Sequence, residues 1–84
     1  MQVQAAYALA LNARCAIAMA KVLDHINEGA ALDREESAWR TAYEVGHATD
    51  SAMPMLFDDS RICRFGWEAG RQARVATLAL AATA

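Results

Sequence analysis

Apolar positions in the first third of the chain repeat with the period of an α-helix. At about 100° per residue, the larger apolar side chains fall on one broad face and the charged ones fall opposite. The pattern predicts an amphipathic first helix over residues 2–28, with Gly29 as its C-terminal cap and Asn12 inside its apolar face. That face comprises Leu9, Leu11, Cys15, Met19, Val22, Leu23 and Ile26.

A second helix follows from its start and stop signals. Asp33 and Glu36 have the spacing of a capping box, worth about 1 kcal/mol, so "GAALD" is predicted as a connector and residues 34–50 as the helix. Pro54 blocks its continuation, so "SAMPMLFDD" is predicted as a break. Three large apolar residues of this break are expected to close the end of the bundle: Met55, Leu56 and Phe57.

The remainder of the chain is predicted to form a third helix over residues 60–82, capped by Asp58, Asp59 or Ser60. No segment alternates apolar and polar residues for long, so no strand is predicted. The expected fold is a single all-α domain, residues 1–84, in the form of a small antiparallel three-helix bundle.

Glycine recurs inside both later helices, in the related stretches "RTAYEVGHA" and "RFGWEAGRQ". An interior glycine costs a helix about 1 kcal/mol relative to alanine, so each needs an offsetting gain. We predict that this gain is close packing of helix backbones along strips of small residues. These are Gly66, Gly70, Ala73, Thr77, Ala81 and Ala84 on the third helix, and Ala42 and Gly46 on the second. The similarity of the two stretches is also what chance would give in two Ala-rich helices.

Composition and charge limit what such a bundle can do. Apolar residues make up 56% of the 84 residues, but 21 are alanine, which buries little area. Because few large apolar side chains are available for the core, burial of more surface against a second subunit is favoured, and a homodimer is expected. Residues 24–59 hold nine acidic residues and two arginines, a net charge of −7, whereas residues 60–84 hold four arginines and one glutamate, a net of +3.

Two surfaces are candidates for binding a partner. The first is a basic face beside the strip, formed by Arg64, Trp67, Arg71 and Arg74. It could pair with the acidic second helix, bind a protein, or contact nucleic-acid phosphates. The −7 segment makes nucleic acid the less favoured partner. The second surface is the acidic helix around Glu35, Glu36 and Glu44.

Catalytic and metal-binding patterns are missing from the sequence. His25 and His47 lack the spacing of a metal site, and Cys15 and Cys63 are interpreted as buried, inert thiols. The serines have no base placed beside them, so the chain is predicted to be no enzyme and to bind no metal or cofactor. No leader or bilayer-spanning segment is identified, which predicts a cytoplasmic protein without a membrane partner.

The stretches "AYEVGH" and "FGWEAGRQAR" resemble segments of small accessory proteins from bacteriophages and other mobile elements. Among these, the anti-CRISPR inhibitors are similar in kind, being short, often helical proteins that occupy a surface of a bacterial complex. The resemblance implies a non-enzymatic inhibitor or regulator that sterically blocks a larger complex in the cytoplasm of a bacterial host. The alternatives are a small nucleic-acid-associated regulator and a self-assembling structural subunit.

Overall fold

The structure, a computed structural model, describes residues 2–83 and contains three α-helices. These are α1 (Val3–Leu23), α2 (Glu28–Ala48) and α3 (Arg61–Thr83), with one 3₁₀ turn at Met55–Phe57 before α3. No strand occurs within residues 2–83. The predicted all-α, three-helix fold is therefore confirmed, although several details of the prediction are wrong.

The boundary between the first two helices lies earlier than predicted. α1 ends at Leu23, and the side chain of Asn27 accepts a hydrogen bond from the backbone N–H of Ala30 at 3.1 Å, so Asn27 is the N-cap of α2. "GAALD" is thus helical, Asp33 lies within α2, and Gly29 belongs to its first turn rather than capping α1. The prediction failed because two N-cap signals compete here, Asn27 and the capping box at Asp33. Asn27 comes first along the chain, and Glu28 in the first turn stabilises this start because its negative charge lies at the positive end of the helix dipole.

The side of α1 that faces the core is also different from the predicted one. Its buried residues are mostly small, namely Ala10, Ala13, Ile17 and Ala20. Leu11, Met19 and Val22 are exposed, and so is Asn12. The hydrophobic pattern weighs bulk, whereas the packing of α1 against α2 selects small side chains that let two helices lie close together. Most of the large apolar residues of α1 therefore point outward, with Ile17 as the buried exception and Leu9 half-buried against the core.

Glycines bring the backbones of α2 and α3 into direct contact. A methyl group at Gly66 would overlap the carbonyl oxygen of Trp39, and one at Gly70 would overlap that of Tyr43. Gly46 on α2 meets the carbonyl oxygen of Trp67 in the same way. Such proximity adds van der Waals contacts and suits weak Cα–H···O interactions.

The two helices run in the same direction. Gly66 lies against Trp39 and Gly70 lies one turn further along against Tyr43, so residue numbers rise together on α2 and α3. The antiparallel prediction is wrong for this pair because it took the break "SAMPMLFDD" for a short loop between antiparallel helices. Residues 49–60 instead run back along the bundle, and their 3₁₀ turn contacts both α1 and α3.

The returning segment supplies the largest side chain of the core. Phe57 is fully buried in a cluster with Ala10, Ala13 and Ile17, whereas Met55 is exposed. The hydroxyl of Ser60 then accepts a hydrogen bond from the backbone N–H of Cys63 at 3.3 Å and caps α3. Phe57 therefore fills the space between α1 and α3 rather than closing one end of the bundle.

The strip of small residues on α3 packs over only part of its predicted length. Gly66 and Gly70 are buried and Ala73 is half-buried, but Thr77 and Ala81 are exposed. The reason is that α2 ends at Ala48, whereas α3 continues for about two more turns, over which residues 75–82 are exposed. Ala84 lies outside the described residues. The overhang gives the molecule extents of 50 × 24 × 18 Å.

Gly70→Ala is expected to destabilise the fold although alanine is the better helix former. The added methyl meets backbone, which no rotamer change can relieve, so we expect a net loss of about 1–3 kcal/mol in the free energy of unfolding. Gly29→Ala is the matched control, because only Asn27 Oδ1 lies near, at 3.6 Å. It should be neutral or stabilising by up to about 1 kcal/mol. Urea unfolding followed by circular dichroism measures both, and equal effects of the two variants would contradict the close packing.

Candidate functional site

Arg71 and Arg74 of α3 lie at the C-terminal end of α2. The guanidinium of Arg71 donates hydrogen bonds to the carbonyl oxygens of Gly46 at 3.2 Å and Thr49 at 2.9 Å, and also to that of Ser51. Carbonyls at a helix C-terminus lack partners within the helix and carry a partial negative charge. Arg71 therefore acts as a cationic cap for α2, supplied from a neighbouring helix.

Arg74 reinforces the same helix end. It donates to the carbonyl oxygen of His47 at 3.0 Å and pairs with the carboxylate of Asp50 at 2.7 Å. The hydrogen bond from Arg74, and then its charge, lower the pKa of Asp50 below the ordinary value of 3.8. Since Asp50 is exposed, solvent screens this pair.

Trp67 completes this arrangement on the core side. The guanidinium carbon of Arg71 lies 4.5 Å from the centroid of the Trp67 ring, a cation–π contact. The ring is half-buried against the core, and its Nε1 is buried without an acceptor within residues 2–83. Trp67 therefore serves mainly as an apolar platform that orients Arg71.

The residues of the predicted basic face thus lie together on α3, but Arg71 and Arg74 are already engaged in hydrogen bonds within the chain. Arg71 and Arg74 could reach a partner only by releasing the carbonyls at the end of α2. Arg64 differs from them, because it is exposed and lies about two turns nearer the start of α3 than Arg71. Arg71 mostly binds backbone carbonyls rather than the carboxylates expected from the charge pattern.

The three acidic residues singled out from the sequence do not share one surface. Glu35 is half-buried and lines a cavity of about 180 Å³ together with Ile17, Ala20, Lys21, Asp24 and Ile62. Glu36 is exposed and pairs with Arg40 at 2.6 Å, and Glu44 is exposed on another side of α2. The cavity is smaller than the roughly 300–1,000 Å³ of ordinary ligand pockets.

Titratable and thiol groups are dispersed over the molecule. No group of three His, Cys, Asp or Glu residues in the described part of the chain could hold a metal ion. Cys63 is buried, which raises the pKa of its thiol, whereas Cys15 is exposed. The prediction that both thiols are buried is therefore wrong for Cys15, which lies on the outward side of α1.

A row of stacked rings on α2 escaped the sequence analysis. Trp39 and Tyr43 have ring centroids 5.5 Å apart, and Tyr43 and His47 follow at 6.0 Å with nearly parallel planes. Trp39 is 37% exposed and His47 is exposed, while Tyr43 is half-buried. The i, i+4 spacing of the three rings was the available signal. We call these three residues the α2 aromatic row.

The comparisons with known proteins give no relative for this arrangement. No protein-family model matches the chain, and no curated protein or solved structure matches it either.

Arg71→Lys tests the capping role. A lysine ammonium cannot span the three carbonyls that the guanidinium fork reaches, so we expect a loss of about 1–3 kcal/mol in the free energy of unfolding. Arg64→Lys, on the exposed side of the same helix, should change it by less than about 0.5 kcal/mol. Chemical denaturation measures the free energy of unfolding of both variants. An Arg71→Lys variant as stable as the wild type would show that Arg71 does not stabilise α2 as a cap.

The Arg74–Asp50 pair predicts a specific dependence on pH. A carboxylate whose pKa is lowered by folding stabilises the protein above its unfolded pKa, near 3.8, and this contribution is lost as the pH falls through the folded pKa. Asp50→Asn should therefore be less stable than the wild type at neutral pH, with the difference shrinking below pH 3.8. Thermal melts across this range measure it. A difference that stays constant into strong acid would show that the pair is not its source.

Proposed function

We propose that the chain is a non-enzymatic, protein-binding inhibitor or regulator that sterically blocks a larger bacterial complex, and that it binds through the α2 aromatic row. A CRISPR defence complex is the first target to test. The observation that supports this is the accessible row of rings on the central helix. Tryptophan and tyrosine are enriched among the residues that dominate binding energy at protein interfaces.

The surroundings of the row suit an interface. Glu36 and Arg40 form an exposed ion pair one turn away, and Glu44 is exposed further round the helix. Charged groups around an aromatic centre give the polar rim that most protein interfaces have. This surface coincides with part of the acidic helix identified from the sequence, with the rings rather than the carboxylates as its centre.

Rigidity of α2 adds to the argument. The helix contacts α1 on one side and α3 on another, and Gly46 fixes it against the backbone of α3. A preformed row of rings loses little conformational entropy on binding, so more of the contact energy appears as affinity.

The nucleic-acid alternative is less well supported. Arg71 and Arg74 are two of the four cations between Arg61 and Arg74, and both already bind groups at the end of α2. Contacts with phosphates would compete with those bonds. Duplex DNA binding at low salt, weakening steeply as salt is added, would nevertheless favour this alternative over ours.

The proposal predicts that Trp39→Ala with His47→Ala strongly weakens binding to the target. Tagged wild-type chain is used to retain a complex from bacterial lysate, and the binding constant of the purified complex is then measured. Loss of the exposed rings should weaken binding by at least about 30-fold, the effect of a 2 kcal/mol hot spot. The half-buried Tyr43 is left in place so that the fold is preserved.

Leu78→Ala is the matched control, because it removes an exposed apolar side chain from the overhang of α3. It should bind like the wild type, and circular dichroism should show equal helicity for all three proteins. Undiminished binding by the double variant would eliminate the α2 aromatic row as the contact surface.

A further inference from the structure

α1 carries its bulk on the side that faces away from the rest of the molecule. Its buried residues are three alanines and Ile17, whereas Tyr7 is 61%, Leu11 43% and Val22 64% exposed. The helix has a mean hydropathy of 1.3, enough by length and composition alone to cross a membrane, although the sequence prediction excluded a spanning segment. Only 28% of it is buried within the chain. A helix that is apolar on several sides is ordinarily packed against other protein or lipid on more than one of them.

Four exposed residues form a straight stripe on this outward side. Tyr7, Leu11, Ala18 and Val22 fall within about 60° of one another and span roughly 22 Å of helix. No charged residue lies within this arc. The exposed apolar residues of the α3 overhang differ, because Val75, Leu78 and Leu80 are spread over about 200° around their helix. We call the four α1 residues the α1 outer stripe.

We propose that the α1 outer stripe is a homodimer interface, covered by the same stripe of a second copy in antiparallel orientation. The spacing of the stripe reads the same in both directions about a point between Arg14 and Cys15. A two-fold axis there places Tyr7 opposite Val22 of the second copy, and Leu11 opposite Ala18. Each larger side chain thus meets a smaller one, as a self-complementary two-fold interface requires.

The accessible surface of the chain is larger than that of a compact monomer by about the area that one partner would cover. Its accessible surface is 5,696 Å², whereas a compact monomer of 9.1 kDa exposes about 4,900 Å². The difference of roughly 800 Å² equals the share that one partner contributes to a standard protein interface. Part of the excess belongs to the overhang of α3, whose exposed apolar residues do not form one continuous stripe.

Charges around the stripe do not oppose this pairing. Arg14, which lies nearest the proposed axis, is held by Asp59 of its own chain at 3.3 Å. Its charge is therefore compensated where the two copies meet. Antiparallel packing also places the positive end of each helix dipole beside the negative end of the other. Because the stripe carries no charge and Arg14 is already paired, a second copy can cover the stripe without an oppositely charged surface.

Sedimentation equilibrium over a dilution series tests the proposal. The wild type should be a dimer that dissociates on dilution, and Val22→Glu should raise the dissociation constant more than about tenfold, because it buries an unpaired charge on each side. Leu11→Glu is a second variant with the same expectation. Leu78→Glu, which alters an exposed apolar residue on α3, should dimerise like the wild type.

Crosslinking locates the axis independently. Cys15 is exposed beside it and Cys63 is buried, so a short bis-maleimide should join Cys15 to Cys15 of the second copy and leave Cys63 unmodified. Cys15→Ser should abolish the crosslink while leaving the sedimentation unchanged. A wild type that is monomeric at every concentration overturns the proposal. So does a dimer lost in Leu78→Glu but kept in Val22→Glu, or a monomer that binds phospholipid vesicles through α1.

Discussion

Direct contact between the backbones of α2 and α3 determines most of this structure. Gly46, Gly66 and Gly70 leave no side chain between the two helices, so each carbonyl oxygen lies where a methyl group would be. Since overlap with backbone cannot be relieved by rotamer changes, these contacts fix the axial register of α3 on α2. That register brings Arg71 and Arg74 to the last carbonyls of α2. Capping of α2 by Arg71 and Arg74 therefore depends on these glycine contacts, and the carbonyl of Gly46 is itself one of the capped groups.

Close packing of this kind limits how much apolar surface the core can bury. Six of the ten buried hydrophobic residues within residues 2–83 are alanine, and the three largest fully buried side chains are Phe57, Val45 and Cys63. Small residues maximise backbone contact, and as a consequence the larger apolar residues are displaced to the outside, on α1 above all. The small residues that let the helices pack closely thus also leave exposed apolar surfaces that suit association with another protein.

The sequence predicted what depends on single residues and short spacings, and it failed where long-range geometry decides. Pro54 indicated a break between the second and third helices, and the repeated glycines indicated close packing, because each effect belongs to the residue itself. The direction of α3 could not be predicted, since residues 49–60 are long enough either to turn or to run back. The capping role of Arg71 depends in turn on that direction. The face of α1 was misjudged because periodicity measures bulk, whereas contact with α2 selects the small residues Ala13 and Ala20.

The two proposed interfaces are compatible because they belong to different parts of the molecule. The α1 outer stripe consists of exposed residues of α1 and the α2 aromatic row lies on α2, so the two surfaces share no residue. Both can then be used in one assembly. A dimer formed through the stripe would present two rows related by a two-fold axis. When a target offers two equivalent sites within reach, linking two modules raises apparent affinity by about 10²–10⁴ without any new contact. A chain too small to cover a large complex alone could then block it as a pair, and a monomeric variant would retain each contact while losing that gain.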